Sequence, residues 1–157
     1  LLRCCVCRAH AVGRSVKTHC KPFADRVRDP VVIDLTNAAT FDAVPKRAFH
    51  VVYACNVVHI SPWSATLGLL QLASQSLVLN GTLILYGAYG LFGKIEPESN
   101  LEFDAKLKRK DPSFGIRHLE DIEREAKLLG LHIDSIKDMP ANNKLVIFNR
   151  RTIESPL

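Results

Sequence analysis

A chain of 157 residues with 47% apolar content is about one domain's worth and can bury a sizeable core, and its formal net charge of +5 raises nucleic acid or an anionic membrane as partners. No apolar run approaches the ~18 residues that span a bilayer, and Arg3, Arg8 and Arg14 break up the N-terminal stretch, so neither a transmembrane helix nor the apolar segment of a signal peptide is expected.

The distribution of charge argues against nucleic acid. Residues 1–30 hold seven Lys or Arg against two Asp, whereas the remaining residues carry fourteen of each sign and balance. A basic tail on a neutral body can be an arm for nucleic acid or an anionic membrane; a solvated, poorly ordered end is the preferred reading, and no nucleic-acid or membrane partner is expected. Cysteine follows the same asymmetry, with Cys4, Cys5, Cys7 and Cys20 in the tail and Cys55 in the body. An odd count, with Cys55 inside an expected buried strand, gives no disulfide framework and suits a reducing, cytoplasmic setting. Cys4, Cys7, His10, His19 and Cys20 have zinc-ligating chemistry, but without paired C-x-x-C knuckles no metal site is expected.

In chain order, residues 1–30 show neither a helical nor a strand period and read as an irregular tail. The chain opens on Leu1 rather than Met, which suggests a fragment, a processed product or an incomplete gene model. From Val31, V-V-I-D-L reads as a strand, with a short crossover helix around Ala38 to Val44 and a second strand at 50–55. That second strand opens V-V-Y-A-C-N-V-V-H-I-S-P-W at 51–63, an apolar run that surfaces into polar residues as a strand buried in a parallel sheet does at its carboxyl end. Ligands of open α/β sheets bind there, so Asn56, His59, Ser61 and Trp63 are candidate site residues; each can equally be a capping or packing group.

Leu67, Leu70, Ala73 and Leu77 mark an amphipathic helix through residue 79, capped by Ser61 or Ser64 and stopped by Asn80-Gly81. A third strand, T-L-I-L-Y at 82–86, ends in G-A-Y-G, and a long segment leads to a short helix from Asn100 that gives way between Lys108 and Pro112. Leu119, Ile122, Ala126 and Leu129 define a helix over 117–129 ended by Gly130, with an ordinary charged outer face. Strands at 131–137 and 144–149, joined by a loop too short for a crossover helix, pair antiparallel or lie at the sheet edge, and residues 151–157 are a terminal tail.

This order describes an open α/β sheet finished by an antiparallel hairpin. The blocks N-V-V-H-I-S-P-W at 56–63, Y-G-A-Y at 86–89, P-E-S-N-L-E-F-D at 97–104, G-I-R at 115–117 and M-P-A-N-N at 139–143 resemble the signatures of the methyltransferase-like protein 26 family, over roughly residues 31–149. The resemblance implies a partial class I methyltransferase sheet, Rossmann-like, at 31–150, and S-adenosylmethionine (SAM) as cofactor for an unidentified methyl acceptor. It places Asp34 near the adenine amino group and Asn56 beside the cofactor, offers His59 as a catalytic base, and puts Tyr86, Tyr89, Asn100, Asp104, Asn142 and Asn143 at the substrate rim. The family's opening strands and glycine-rich loop have no counterpart here, since Gly13 alone precedes Gly68. The sequence therefore reads as N-terminally truncated and inactive by itself, either a piece of a methyltransferase or a non-enzymatic remnant acting through protein contacts. Loss of the inner strands also exposes a sheet edge, and self-association through it is expected.

Overall fold

The computed structural model describes residues 2–7, 25 and 27–152. It divides into two compact units, Leu1–Val44 and Pro45–Leu157.

In the first unit, β1 (Leu2–Cys7) and β2 (Val27–Ile33) pair in parallel. The stretch expected to be irregular thus contributes a strand, because its backbone finds a partner that no sequence periodicity announces. The register shifts between Arg3 and Cys5, so that β2 spends an extra residue around Asp29 and Pro30; a proline, which lacks an N–H, is tolerated at such a bulge. The cysteine and histidine cluster of the tail lies outside what can be described of side chains. After β2, Asp34 forms a tight turn, and a 3₁₀ helix at Ala38–Ala43 follows, capped by the Asn37 side chain accepting from the Ala39 N–H at 3.2 Å. Ile33, Leu35, Phe41 and Val44 are buried.

The second unit is built on a four-stranded mixed sheet in the order β3 (Phe49–Cys55), β4 (Leu77–Gly87), β8 (Asn143–Arg150), β7 (Leu131–Met139). β3 and β4 run parallel; β8 is antiparallel to both of its neighbours, as the sequence of a closing hairpin requires. Period-two alternation puts Leu83 and Leu85 of β4 on one face, opposite Phe148 and Val146 of β8, and all four are fully buried. Between β3 and β4 lies α1 (Trp63–Ser76); α2 (Glu98–Lys110) and α3 (Leu119–Leu128) follow β4. Leu70, Ala73 and Ile122 complete the core, with α3 packed on both α1 and β7. A two-residue parallel pair, β5 (Tyr89–Gly90) with β6 (Arg117–His118), closes the segment after β4. Among the described residues no helix is long and apolar enough to cross a membrane.

Three local expectations change. α1 stops at Ser76 and β4 starts at Leu77, so Asn80-Gly81 lies inside a strand; Asn80 takes a positive φ of 61°, and the β3–β4 register skips between Phe49 and Val51. Asn and Gly are the residues that tolerate such an irregularity, and the same pair that ends helices serves here to bend a strand. Neither Ser61 nor Ser64 caps α1: Pro62 occupies the cap position and its carbonyl accepts from the Ala65 N–H, while the Ser61 hydroxyl donates to the Val57 carbonyl. Finally, β3 is not buried on both faces. Ala54 is buried, but Val51 and Tyr53 are 53% and 58% exposed and Cys55 is exposed too; the three share one face of the strand by period-two alternation.

An apolar, uncharged end strand lacks the lysines and prolines that deter edge association. The chain is expected to show concentration-dependent association in sedimentation velocity, reduced by Tyr53→Lys. A monomer at all concentrations in both proteins would reject this role for β3.

Candidate functional site

At the carboxyl ends of β3 and β4 lies a pocket of about 570 Å³ lined by Asn56, His59, Ala88, Ser99, Asn100, Phe103, Ala141, Asn142 and Asn143. Five of these come from expected site positions that the fold brings together: Asn56 at the end of β3, His59 after it, Asn100 in the first turn of α2, and Asn142 and Asn143 at the turn between β7 and β8. Open parallel strands lead to such a position because each strand delivers its chain at the same sheet end.

Asn56 leaves β3 with φ 55° while its N–H donates to the Tyr86 carbonyl at 2.8 Å, so the chain turns sharply without losing its ladder bond. Asn accepts this left-handed conformation more readily than most residues. The next residues form a 3₁₀ turn, Val58–Ile60, that carries His59 inward until it is only 3% exposed. Its ring meets Phe103 edge-on, with centroids 5.3 Å apart and planes at 72°. The ring edge bearing Nδ1 rests on Gly87: a Cβ there would lie 3.1 Å from His59 Nδ1 and Cε1 and 3.6 Å from Asn56 Oδ1. Glycine at 87 is thus what lets the imidazole and the Asn56 amide converge on the end of β4. Nδ1 is buried and makes no hydrogen bond, and burial lowers the imidazole pKa from its ordinary value, keeping the ring neutral.

A second set of bonds holds the His59 segment in place. The His59 carbonyl accepts from the Gly115 N–H at 3.0 Å, and the Ser61 carbonyl accepts from Arg117 Nη2, also at 3.0 Å. Burial lowers the Arg117 pKa, an effect that Asp104 opposes. Asp104 itself is buried; its Oδ1 accepts from the Ile116 N–H at 2.7 Å and its Oδ2 pairs with Lys108 Nζ at 2.6 Å. Asp104, placed at the substrate rim by the resemblance, therefore does not line the pocket; it ties α2 to the 115–117 segment.

Tyr86 and Tyr89, also expected at the rim, lie elsewhere too. Tyr89 is buried, which pushes its phenol pKa up, and it pairs across β5 and β6 with Arg117. Tyr86 sits in β4 opposite Cys55 and Leu145. β4 ends at Gly87, and Tyr86 is not among the residues that line the pocket. Asp34 belongs to the first unit, where its Oδ1 accepts from the Thr36 N–H at 2.9 Å and from the Thr36 hydroxyl at 2.7 Å. Trp63 lines a smaller cavity of about 330 Å³ with Ile116, Arg117, His118, Asp121 and Arg124. Sequence reasoning missed Ser99, Phe103, Ala88, Ala141 and the contact at Gly87. The four-residue spacing of Ser99 and Phe103 on α2 is the one signal that could have paired them.

Residues 9–150 match the model of the family described as Protein of unknown function (DUF938). The chain belongs to this family. The match begins inside the stretch that the sequence reads as tail. The DUF938 chain is also similar to solved structures. An O-methyltransferase family protein from Burkholderia thailandensis is 15% identical, with a TM-score of 0.77 over 96% of this chain and 44% of that one. PigF with SAH is 11% identical, with a TM-score of 0.70 over 94% and 43%. LepI in complex with SAM is 11% identical, with a TM-score of 0.69 over 95% and 36%. The DUF938 chain thus spans less than half the length of these structures, and at such identities what it shares with them is the α/β methyltransferase fold.

The displaced His59 pKa gives a pH test. A folded-state pKa below the ordinary ~6.5 means that the unfolded chain binds a proton the folded one refuses, so this contribution is intact above about pH 6.5 and is lost as pH falls toward the folded-state pKa. Urea melts from pH 8 to 5 should show a shallower decline for His59→Gln than for the parent. Equal slopes would show that the ring titrates freely.

Proposed function

We propose that this chain carries the acceptor-binding side of a SAM-dependent methyltransferase, of the kind that the methyltransferase-like protein 26 family represents, and that it does not turn over by itself. The observation that carries the reading is a buried, neutral histidine without a partner on Nδ1, beside a pocket at the carboxyl end of parallel strands. The likeness to an O-methyltransferase family protein and to structures with SAM or SAH supports it.

The residues present do not fit the cofactor's own half of such a site. SAM supplies an electrophilic methyl group when bound, and binding needs a backbone cradle for its methionine end. Gly13 is the only glycine before Gly68, and the space over Gly87 is taken by His59 and Asn56. One oxygen of Asp34, the resemblance's adenine-side acid, is committed to Thr36. No step is therefore routed through the cofactor.

On the acceptor side, the roles follow from geometry. Asn56 Oδ1 and His59 Nδ1 both face the backbone at Gly87, and in this reading Oδ1 accepts from Nδ1–H when the amide turns toward the ring. That fixes the tautomer with a lone pair on Nε2, which can take a proton from a hydroxyl or similar nucleophile held in the pocket. A base of this kind is worth ~10²–10⁴ in rate, and Asn56 is its positioning residue in the way a hydrogen-bonded partner orients a catalytic imidazole. The non-enzymatic alternative, contact with another protein, is favoured by the exposed face of β3 with Val51 and Tyr53.

Two measurements test the reading. Isothermal titration of the chain with SAM should give no tight binding; micromolar affinity would overturn the claim that the cradle is missing. The His59 ring should titrate below the ordinary histidine range by NMR, and Asn56→Asp should raise its pKa by about one unit or more by placing a carboxylate beside Nδ1. An unchanged titration would remove Asn56 from its positioning role.

A further inference from the structure

The G-I-R block at 115–117 does not line the pocket, yet two of its three residues hold the turn that carries His59. Arg117 Nη2 donates to two carbonyls at once, Ser61 at 3.0 Å and Ser113 at 2.5 Å. Ser61 stands two residues after His59 and Ser113 two before Gly115, so one nitrogen fastens both segments beside the Gly115 N–H bond to the His59 carbonyl. Gly115, with φ 150° and no side chain, gives its segment little stiffness of its own. The backbone of Arg117 also pairs with Tyr89, two residues beyond Gly87. The same residue therefore reaches the seat of the imidazole through its main chain and the turn bearing the imidazole through its side chain.

Arg117 is a poor means of stabilising the fold. Its Nε is buried without a hydrogen-bond partner, and burial works against its charge more than Asp104 supports it. A buried cation with an unsatisfied donor costs free energy that an apolar side chain of similar volume avoids. Nor does Asp104 depend on it, since its two oxygens are held by the Ile116 N–H and by Lys108. What an arginine supplies here is a long, flat side chain whose terminal nitrogen presents two N–H groups in fixed directions. A lysine would keep the charge and lose those directions.

We propose that Arg117 is the positioning residue of His59: its guanidinium clamps the 57–61 turn so that the ring stays on Gly87 and against Phe103, and it serves this placement rather than stability. The inference rests on the methyltransferase reading only in giving the imidazole a task. The charged side chains beside Gly115 are Asp104 and Lys108 of α2, with Arg117 completing the group. β4 and the 56–61 turn carry no Asp, Glu, Lys or Arg, and Tyr86 is the titratable group on β4. Removing the cation at 117 would by itself raise the His59 pKa, so a variant that keeps the charge has to separate placement from electrostatics.

The test is NMR on the isotope-labelled full chain and on its Arg117→Met and Arg117→Lys variants. In the parent, the proton on His59 Cε1 should show NOEs to the Gly87 α-protons and to the Phe103 ring, since Cε1 lies 3.1 Å from where a Gly87 Cβ would stand. Both variants should lose these NOEs, and in both the His59 titration should rise toward the ordinary ~6.5. Their melting temperatures should stay within ~4 °C of the parent, because the lost hydrogen bonds are offset by relief of a buried charge. Arg124→Gln, which removes an exposed cation outside the clamp, should change neither readout. The proposal is overturned if the variants keep the ring on Gly87, or if both melt lower than that margin or fail to fold. It is equally overturned if Arg117→Lys titrates like the parent while Arg117→Met does not, which would leave a charge effect alone. None of these readouts involves SAM or turnover, so a failed clamp and a failed methyltransferase reading give different results.

Discussion

The buried carboxylate of Asp104 is the contact on which the candidate site depends. One oxygen holds the Ile116 N–H, the other holds Lys108 one helical turn away, and so α2 is fixed to the segment that follows it. From that segment Gly115 and Arg117 reach back to the carbonyls of His59 and Ser61. The apolar cluster of Ala88, Leu107 and Ile116, with Phe103 and Phe114 against it, fills the space beneath. A hydrogen bond to a charged acceptor is worth ~1.5–3 kcal/mol, more than a neutral one, which suits a residue that must hold a loop without a regular ladder.

With that frame in place, the imidazole has nowhere else to go. Phe103 closes one side of the ring, Gly87 admits the other, and burial removes the proton that an exposed histidine would carry at mildly acidic pH. Neutrality and the unpartnered Nδ1 are therefore consequences of packing. The neighbouring asparagines have the reverse origin: the Asn100 and Asn142 amide nitrogens tie the hairpin turn and α2 together. One set of bonds holds the pocket's wall together.

The strands, the helices and the closing hairpin were legible because each carries a period. β4 and β8 alternate, α3 repeats at three and four, and the β7–β8 connection is too short for anything but a reversal. The position of the pocket was legible for a related reason, since N-V-V-H-I-S-P-W breaks an apolar run at a strand's carboxyl end. Legibility failed where a signal has two uses. Asn80-Gly81 ends a helix as readily as it bends a strand, and Ser61 caps α1 on paper while its hydroxyl turns back to Val57. β1 carried no signal at all, because a strand's backbone bonds do not depend on the order of its side chains.

By itself the sequence determined which residues could do chemistry and which sheet end would present them, because local periodicity and turn residues act within a few positions along the chain. Only the tertiary structure decided their roles. Asp104 and Asn100 stand four residues apart on one helix, yet the carboxylate is consumed at Ile116 and Lys108 while the amide faces the pocket. Tyr86 and Tyr89 share a block with Ala88, but Tyr86 stays in β4 opposite Leu145 and Tyr89 is taken up by the β5–β6 pair. Burial, charge state and free hydrogen-bonding capacity belong to groups brought together from distant parts of the chain, and no single stretch of sequence contains both partners.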